Sequence, residues 1–457
     1  MADNSPQPAL FYGLDDRPAA LRTVLYALQW VGFTLTQIVV VPLVLGPYLG
    51  LDAAGTAELE QRVFFFVGLG SLLQVLLGHR LPIVEGTVGI WWGVLIALGS
   101  MAASTGKPLA RLRSDLELAL IAAGAVTLLL GATGVIARLQ RFFTPAVMGT
   151  GMVLLSMELS STVVPKMLGL GFPGGTVQLP AAVVSVLTVA CVAVVSLFAP
   201  RYLRSFGMLS GMVVGSFAFA AWSAVAGQAP GTATAAASIL DTKGGRVLGF
   251  PWPLAWGTPT YDPGLVLVSV LIATLLTAQQ VAAIHAMADA ARGRPQPAAL
   301  NRSLIVTGVT NILCGLGASL GVGSFASAAA VVSLSGVAAR LPFILHAVLM
   351  MAMGLIPAVA LALTRVPEPV ANAVLLVAAF QLFLLGVRQF TTMALSQRDT
   401  FVIGAGVLGG AGVMFVPDAA LAPLPSMLQY IVGSGMMTGM VIALVVDRLL
   451  PPVRTSG

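Results

Sequence analysis

The chain has 457 residues, of which 58% are hydrophobic and only 9% charged, with a mean hydropathy of +0.96, against about a quarter charged in a soluble domain. That balance excludes a soluble enzyme or soluble binding module and predicts a polytopic membrane protein. The formal charge of +6 does not point to nucleic acid, because the Lys and Arg residues are scattered singly through short loops, without a basic stripe or interleaved aromatics.

In chain order, residues 1–20 carry Asp3, Asp15, Asp16, Pro6, Pro8 and Pro18 and lack the n-region and h-region of a cleaved signal. They are expected to form a cytoplasmic tail, followed by a retained first span. Apolar stretches lie near residues 22–46, 62–78, 82–98, 117–137, 145–164, 180–199 and 207–226, which makes seven spans in a first half covering 21–227. A polar loop rich in Pro, Gly and Thr, residues 228–263, is expected on the extracytoplasmic side. Seven more stretches follow near 264–290, 303–320, 324–338, 342–363, 369–387, 400–416 and 428–450, filling a second half, 264–451. An odd number per half makes the second enter from the opposite side, which predicts an all-α membrane protein of fourteen segments in two inverted seven-span repeats.

With the N-terminus inside, Arg17, Arg22, Arg80, Arg138, Arg141, Arg201, Arg204, Arg292, Arg294, Arg302, Arg340, Arg388, Arg398, Arg448 and Arg454 fall on the cytoplasmic face, fifteen of the 23 Lys and Arg residues. This is the bias of the positive-inside rule and puts both termini in the cytoplasm. Cys191 and Cys314 sit in apolar runs of opposite halves and read as small core residues, so no disulfide or metal site is expected.

Two segments are too short and too broken to span smoothly: residues 81–94 and 321–337, the third and tenth, in matching places of the two halves. Irregular backbone at membrane depth survives only when buried in protein or lining a polar cavity, so these segments mark the expected ligand site. Glu85 lies in the first of them, where an intramembrane carboxylate costs at least about 2.5 kcal/mol unless paired or hydrated. It reads either as a functional acid or as an interfacial partner of Arg80. Glu158 in the fifth span is a second such acid, near Lys166. Gln279, Gln280, His285 and Asp289 lie along the eighth span, with His285 and Asp289 one turn apart. The tenth segment supplies small residues and hydroxyls, from Gly323 and Ser324 to Ser335 and Gly336. If each weak segment starts extended and becomes a half-helix, its free N–H groups face the cavity with the positive end of the dipole. Close helix packing is the other role of such small residues.

These residues carry a family resemblance. Gln29-Trp30 ahead of Val40-Val41-Pro42, Gly78-His79-Arg80-Leu81-Pro82 followed by Gly86-Thr87, Phe143-Thr144-Pro145-Ala146-Val147-Met148-Gly149 with Glu158 beyond, and Arg302-Ser303 with Gly308 and Gly315 together resemble the nucleobase/ascorbate transporter family, the xanthine/uracil permeases. Glu85-Gly86 followed by Trp91-Trp92, and the run Pro423-Leu424-Pro425-Ser426 through Asp447, resemble its purine permease branch.

The resemblance implies a core domain from spans 1–4 and 8–11, a gate domain from spans 5–7 and 12–14, dimerisation through the gate, and an elevator-type transporter in the plasma membrane. It implies import of a nucleobase, a purine such as xanthine, uric acid or hypoxanthine ahead of uracil, by proton or sodium symport, with no cofactor and no catalytic residue. By position, Gln37, Gly89, Gln279, Phe325, Ala326 and Ser327 would bind the base, with Thr87, Gln280 and His285 as further candidates. The chain departs from the family where Gln279 replaces a usual Glu in span eight, where Ser327-Ala328 opens the tenth-span signature, and where Ser335-Gly336 closes it. Glu85 is the natural relocated acid for proton coupling. An anion exchanger or a passive facilitator on the same fold is the alternative.

Overall fold

The computed structural model describes residues 10–135, 144–170, 176–200, 204, 206–225, 248–293, 297–363, 366–393, 395–421 and 423–450. Arg138, Arg141, Arg201, Arg294, Arg454, Phe143, most of the predicted tail's first half and much of the 228–263 loop lie outside them.

The first apolar stretch forms α1 (Ala20–Ile38) and α2 (Val40–Tyr48). They divide at Val39, one turn before Pro42, which has no N–H to offer the Ile38 carbonyl. Asp52 then accepts from Gly55 N at 2.7 Å to cap α3 (Ala53–Leu76). The run Leu81-Pro82 follows in a tight turn, with Ile83 N donating to Leu81 O at 2.9 Å, and leads into β1 (Glu85–Gly86) and the short helix α4 (Gly89–Thr105), which closes on Gly106 in the left-handed region at φ +73°. α5 (Leu109–Thr133), α6 (Pro145–Met167), α7 (Leu179–Phe198) and α8 (Gly207–Val225) complete the first half.

The second half opens with α9 (Pro263–Ala290), capped by Asp262, and continues with α10 (Pro297–Leu316), β2 (Gly323–Ser324) and the eight-residue α11 (Ala328–Ser335). α12 (Arg340–Leu355) and α13 (Pro357–Leu363) meet at 88° at the break imposed by Pro357. α14 (Glu368–Thr391), α15 (Gln397–Val413), α16 (Asp418–Leu421), α17 (Ser426–Val432) and α18 (Gly435–Leu449) end the described chain. Among the described residues nine helices are long and apolar enough to cross a membrane, or ten if α12 and α13 form one span. The protein is therefore a helical, multi-pass membrane protein.

Several helix pairs cross closely where glycines face each other. A Cβ on Gly124 of α5 would lie 2.7 Å from Gly308 O of α10, and one on Gly386 of α14 would lie 2.9 Å from Gly149 O of α6. Only hydrogen fits at these crossings, which is how apolar helices gain packing energy when lipid removes the hydrophobic drive between them. Large apolar side chains such as Leu187 and Leu197 on α7 and Phe217 on α8 stay exposed, as a lipid-facing surface requires.

The two weak segments meet at the centre. β1 pairs antiparallel with β2, with Glu85 opposite Ser324 and Gly86 opposite Gly323, and Phe325 N donates to Val84 O at 2.9 Å. Each strand leads at once into a half-helix, α4 or α11. Part of the predicted N-terminal tail is ordered against this unit: Phe11 N donates to Gly336 O at 2.8 Å and Ala338 N to Tyr12 O at 2.9 Å. Neither partner is strand-like alone, so this pairing is a product of tertiary contact.

Candidate functional site

A cavity of about 430 Å³ lies between the β1–β2 pair and α14. Gln37 reaches it from α1, Thr87 from the β1–α4 connection, Gly89 from the start of α4, Gln279 from α9, and Phe325, Ala326 and Ser327 from the β2–α11 connection. The structure thus brings together the six residues singled out from sequence as ligand contacts, and Thr87 with them. Along α14 the lining runs from Val374 to Arg388 and includes Gln381. Gln381 and Arg388 were not foreseen, although a Gln and an Arg inside so apolar a stretch are a signal that could have found them.

The cavity has an aromatic ring on one wall and carries unpartnered polar atoms. Gly86 has no side chain, so the Phe325 ring can occupy the space above β1: a Cβ at Gly86 would lie 2.5 Å from Phe325 Cε2 and Cζ. The backbone at 86 must be glycine for the ring to stand there, and the ring offers one aromatic wall. Gln279 Oε1 and Thr87 Oγ1 are both buried with no hydrogen-bond partner among the described residues. A buried polar atom left so costs about 1–3 kcal/mol, which a ligand with matching groups would recover. The Ala326 and Ser327 N–H groups, ahead of the first turn of α11, donate to no described carbonyl, while Ala328 N, Ala329 N and Ala330 N already serve Phe325 O, Ala326 O and Ser327 O. No Asp or Glu lines the cavity among the described residues.

Glu85 points away from this space. The pleat of β1 sends its side chain behind the strand pair, where Oε1 accepts from Ser324 Oγ and lies 3.8 Å from His79 Nε2. Its own N–H donates to Ser71 Oγ of α3 at 3.0 Å. Glu85 and His79 are buried, and Glu85 Oε2 has no partner among the described residues. His79 Nδ1 accepts from Leu81 N at 3.0 Å, so in the neutral ring the proton belongs on Nε2, facing the carboxylate. The reading of Glu85 as a partner of Arg80 does not describe this geometry, because β1 turns the acid inward against His79 while Arg80 is exposed.

Gln280 also stays out of the cavity. One residue on from Gln279 along α9, it faces α10, where Nε2 donates to Thr307 Oγ1 at 2.8 Å and to Ser303 Oγ. Gln74 Nε2 of α3 donates to the same Thr307 Oγ1 at 2.8 Å and to Ser303 O at 2.9 Å, and Gln74 Oε1 accepts from His79 N at 3.4 Å. A buried polar chain thus runs from α9 through α10 and α3 to His79, Glu85 and β2. His285 lies on an exposed face two turns further along α9, with Nδ1 bonded to Val281 O at 2.8 Å, away from the cavity. Glu158 accepts from Ser434 Oγ and Met436 N, both at 3.2 Å, and so caps α18 from α6. These contacts tie α6 to α18. Among the described residues no group of His, Cys, Asp and Glu could hold a metal ion.

A multi-pass helical protein whose central cavity is formed by two broken spans, paired as short strands, has the build of a secondary transporter. Solved structures agree on the fold: the chain covers 99% of the transmembrane domain of the cyanobacterial bicarbonate transporter BicA, with 92% of its own length, at a TM-score of 0.61 and 14% identity. The murine Slc26a9 anion transporter in the inward-facing state matches at a TM-score of 0.62 and 13% identity, over 95% of this chain and 69% of that one. The xanthine/uracil permease profile, described as a permease family, matches residues 21–419, and the chain belongs to that family. It is a transporter, not an enzyme. It is 27% identical over 410 residues to "Putative purine permease YwdJ" of Bacillus subtilis, covering 88% of this chain and 90% of that one. It is 24% identical to the uric acid permease PucK of the same organism, over 91% and 92% of the two chains. The Escherichia coli xanthine permease XanQ is 23% identical over 97% of this chain and 94% of its own.

Proposed function

We propose that this protein imports a nucleobase, a purine ahead of uracil, across the plasma membrane by proton symport. The observation that carries the reading is the convergence on one cavity of an aromatic wall, Phe325, with two unpartnered polar side chains, Gln279 and Thr87, and the free amides of Ala326 and Ser327. A Gln amide both donates and accepts, as the adjoining ring N–H and carbonyl of an oxopurine require. The names of the relatives support the purine class.

The base would sit in the cavity and the proton behind it, on Glu85. Because Glu85 holds Ser324, and Ser324 carries β2 into Phe325, a change in its protonation reaches the base through the strand pair, without direct contact. The core, spans 1–4 and 8–11, would then carry the base past a gate of spans 5–7 and 12–14. Fourteen spans in inverted repeats are supported by the packing: α5 lies on α10 and α3 on α12, two pairs that exchange under a repeat relating span two to nine and four to eleven. The cavity extends toward the Arg388 end of α14, the cytoplasmic end if both termini lie inside. Association of two copies through the gate is part of the same proposal.

Equilibrium binding of labelled xanthine, uric acid and uracil to the purified protein tests the site. Gln279→Ala should weaken purine binding about tenfold, the loss of roughly one well-placed hydrogen-bonding group. Unchanged binding would remove Gln279 from the site. Arg388 on the cavity wall favours one second reading, anion carriage; sulfate or bicarbonate uptake with no purine bound would establish it instead.

A further inference from the structure

We infer that the chain holds a second site for the same base, an entry subsite one turn further along the α2–α14 seam from the main cavity; the inference rests on the nucleobase reading. A separate cavity of about 250 Å³ lies between α2 and α14, at the N-terminal end of α14. Val44 of α2 and Ala371 of α14 line it, while Val40 and Val41 of α2 and Val374 and Leu375 of α14 line the main cavity. The two cavities are therefore separated by about one helical turn on each flank, roughly 5 Å of travel. They are consecutive stations on one seam between the same two helices.

The second cavity is furnished for a polar-edged ligand. Asn372 lines it and is 1% exposed; its Nδ2 donates to Glu368 O at 2.8 Å, but its Oδ1 has no partner among the described residues. That acceptor suits a ring N–H. Lys166 lines the same space with Asp52 and Glu368, its Nζ 3.4 Å from Glu368 Oε1 and 4.4 Å from the centre of the Tyr48 ring, so a cation shared with a carboxylate faces a neutral ring carbonyl there. Val44, Pro47 and Leu51 supply apolar walls. Acceptor, cation and apolar wall repeat in outline what the main cavity offers, and Glu368, 43% exposed, opens the cavity to water.

The geometry gives the site a direction: an incoming base is held by Asn372 and Lys166 before the α2–α14 seam lets it pass to Gln279 and Phe325. The test uses the full-length protein in proteoliposomes with Cys191 and Cys314 replaced by Ala and A53C introduced on the rim of the second cavity. Labelling of A53C by a membrane-impermeant maleimide is measured against xanthine concentration, and xanthine uptake is measured in the same vesicles. The inference expects xanthine to protect A53C equally well after Gln279→Ala has impaired the main site. It expects Asn372→Ala to raise the half-protecting concentration about tenfold, with Asn372→Ser, which keeps an oxygen, recovering part of the loss. Protection that vanishes with Gln279→Ala, survives Asn372→Ala unchanged, or never occurs for any base overturns it. If uptake is intact while protection is absent, the subsite alone fails; if no base is taken up, the nucleobase reading has failed with it.

Discussion

Gly86→Ala perturbs the site at its tightest point. The added methyl would start 2.5 Å from two atoms of the Phe325 ring, about an ångström inside ordinary carbon contact, so the ring must move or the strands must part. Overpacking of this kind costs about 1–3 kcal/mol. If the ring swings away, its stacking on the ligand, worth about 0.5–1.5 kcal/mol, is lost as well. The expected result is purine binding weakened about three- to tenfold, with a lower midpoint of thermal unfolding. Gly404→Ala is the matched control: nothing lies within 4 Å of a Cβ there, so the substitution should keep binding and gain slightly from the better helix propensity of Ala. Binding by scintillation proximity and unfolding by tryptophan fluorescence read both terms. A Gly86→Ala protein with normal affinity and normal stability would refute the placement of Phe325 over β1.

Glu85→Gln keeps the shape of the Ser324 contact but removes the charge, and should abolish accumulation driven by a proton gradient while leaving base exchange at equilibrium; retained accumulation would acquit Glu85. His79→Gln removes the imidazole that faces Glu85 and should lower gradient-driven accumulation without altering base affinity, and an equal loss of both would mean a structural role only. On the opposite face Lys107 lies 2.6 Å from Asp115, 2.8 Å from Asp262 and 3.2 Å from the Tyr430 hydroxyl of α17. Removing the ammonium leaves the buried Asp115 short of its counter-ion, so Lys107→Met should destabilise by about 3 kcal/mol, and less in an Asp115→Asn background. Burial opposes the charge on Asp262, but Lys107 and the Leu265 N–H more than offset it and hold its carboxyl below the usual range. Its contribution to stability is then present above the ordinary aspartate range and lost as pH falls through the lowered folded value, which a pH series of unfolding midpoints checks in wild type against Asp262→Asn.

Much of this was legible in the sequence because lipid enforces simple rules. Segments 81–94 and 321–337 stood out as too broken for hydrocarbon, and they are the strands and half-helices that wall the cavity. Gln37, Gly89, Gln279 and Phe325 could be placed beside them by resemblance. What sequence could not give was the direction in which each side chain points. Gln279 and Gln280 are neighbours in a helix, about 100° apart, and only packing against α10 decides that the second serves Thr307 and Ser303 while the first faces the cavity. Glu85 was recognised as a costly acid, but its partners, His79, Ser71 and Ser324, come from three separate segments, and the last lies 239 residues away. The pairing of Tyr12 with Val337 is likewise a product of tertiary contact alone. Arg388 and Gln381 were hidden for the opposite reason, since Arg388 read as a cytoplasmic orientation signal before it could be seen on a cavity wall.

On the proposed function, this cavity carries a purine inward together with protons, driven by the proton gradient. Uptake of labelled xanthine, uric acid, hypoxanthine, guanine, adenine and uracil into proteoliposomes, with and without an inward proton gradient, measures it directly. The account predicts saturable, gradient-dependent accumulation of at least one purine, ahead of uracil. Entry of sulfate or bicarbonate with no base carried under either condition would contradict it.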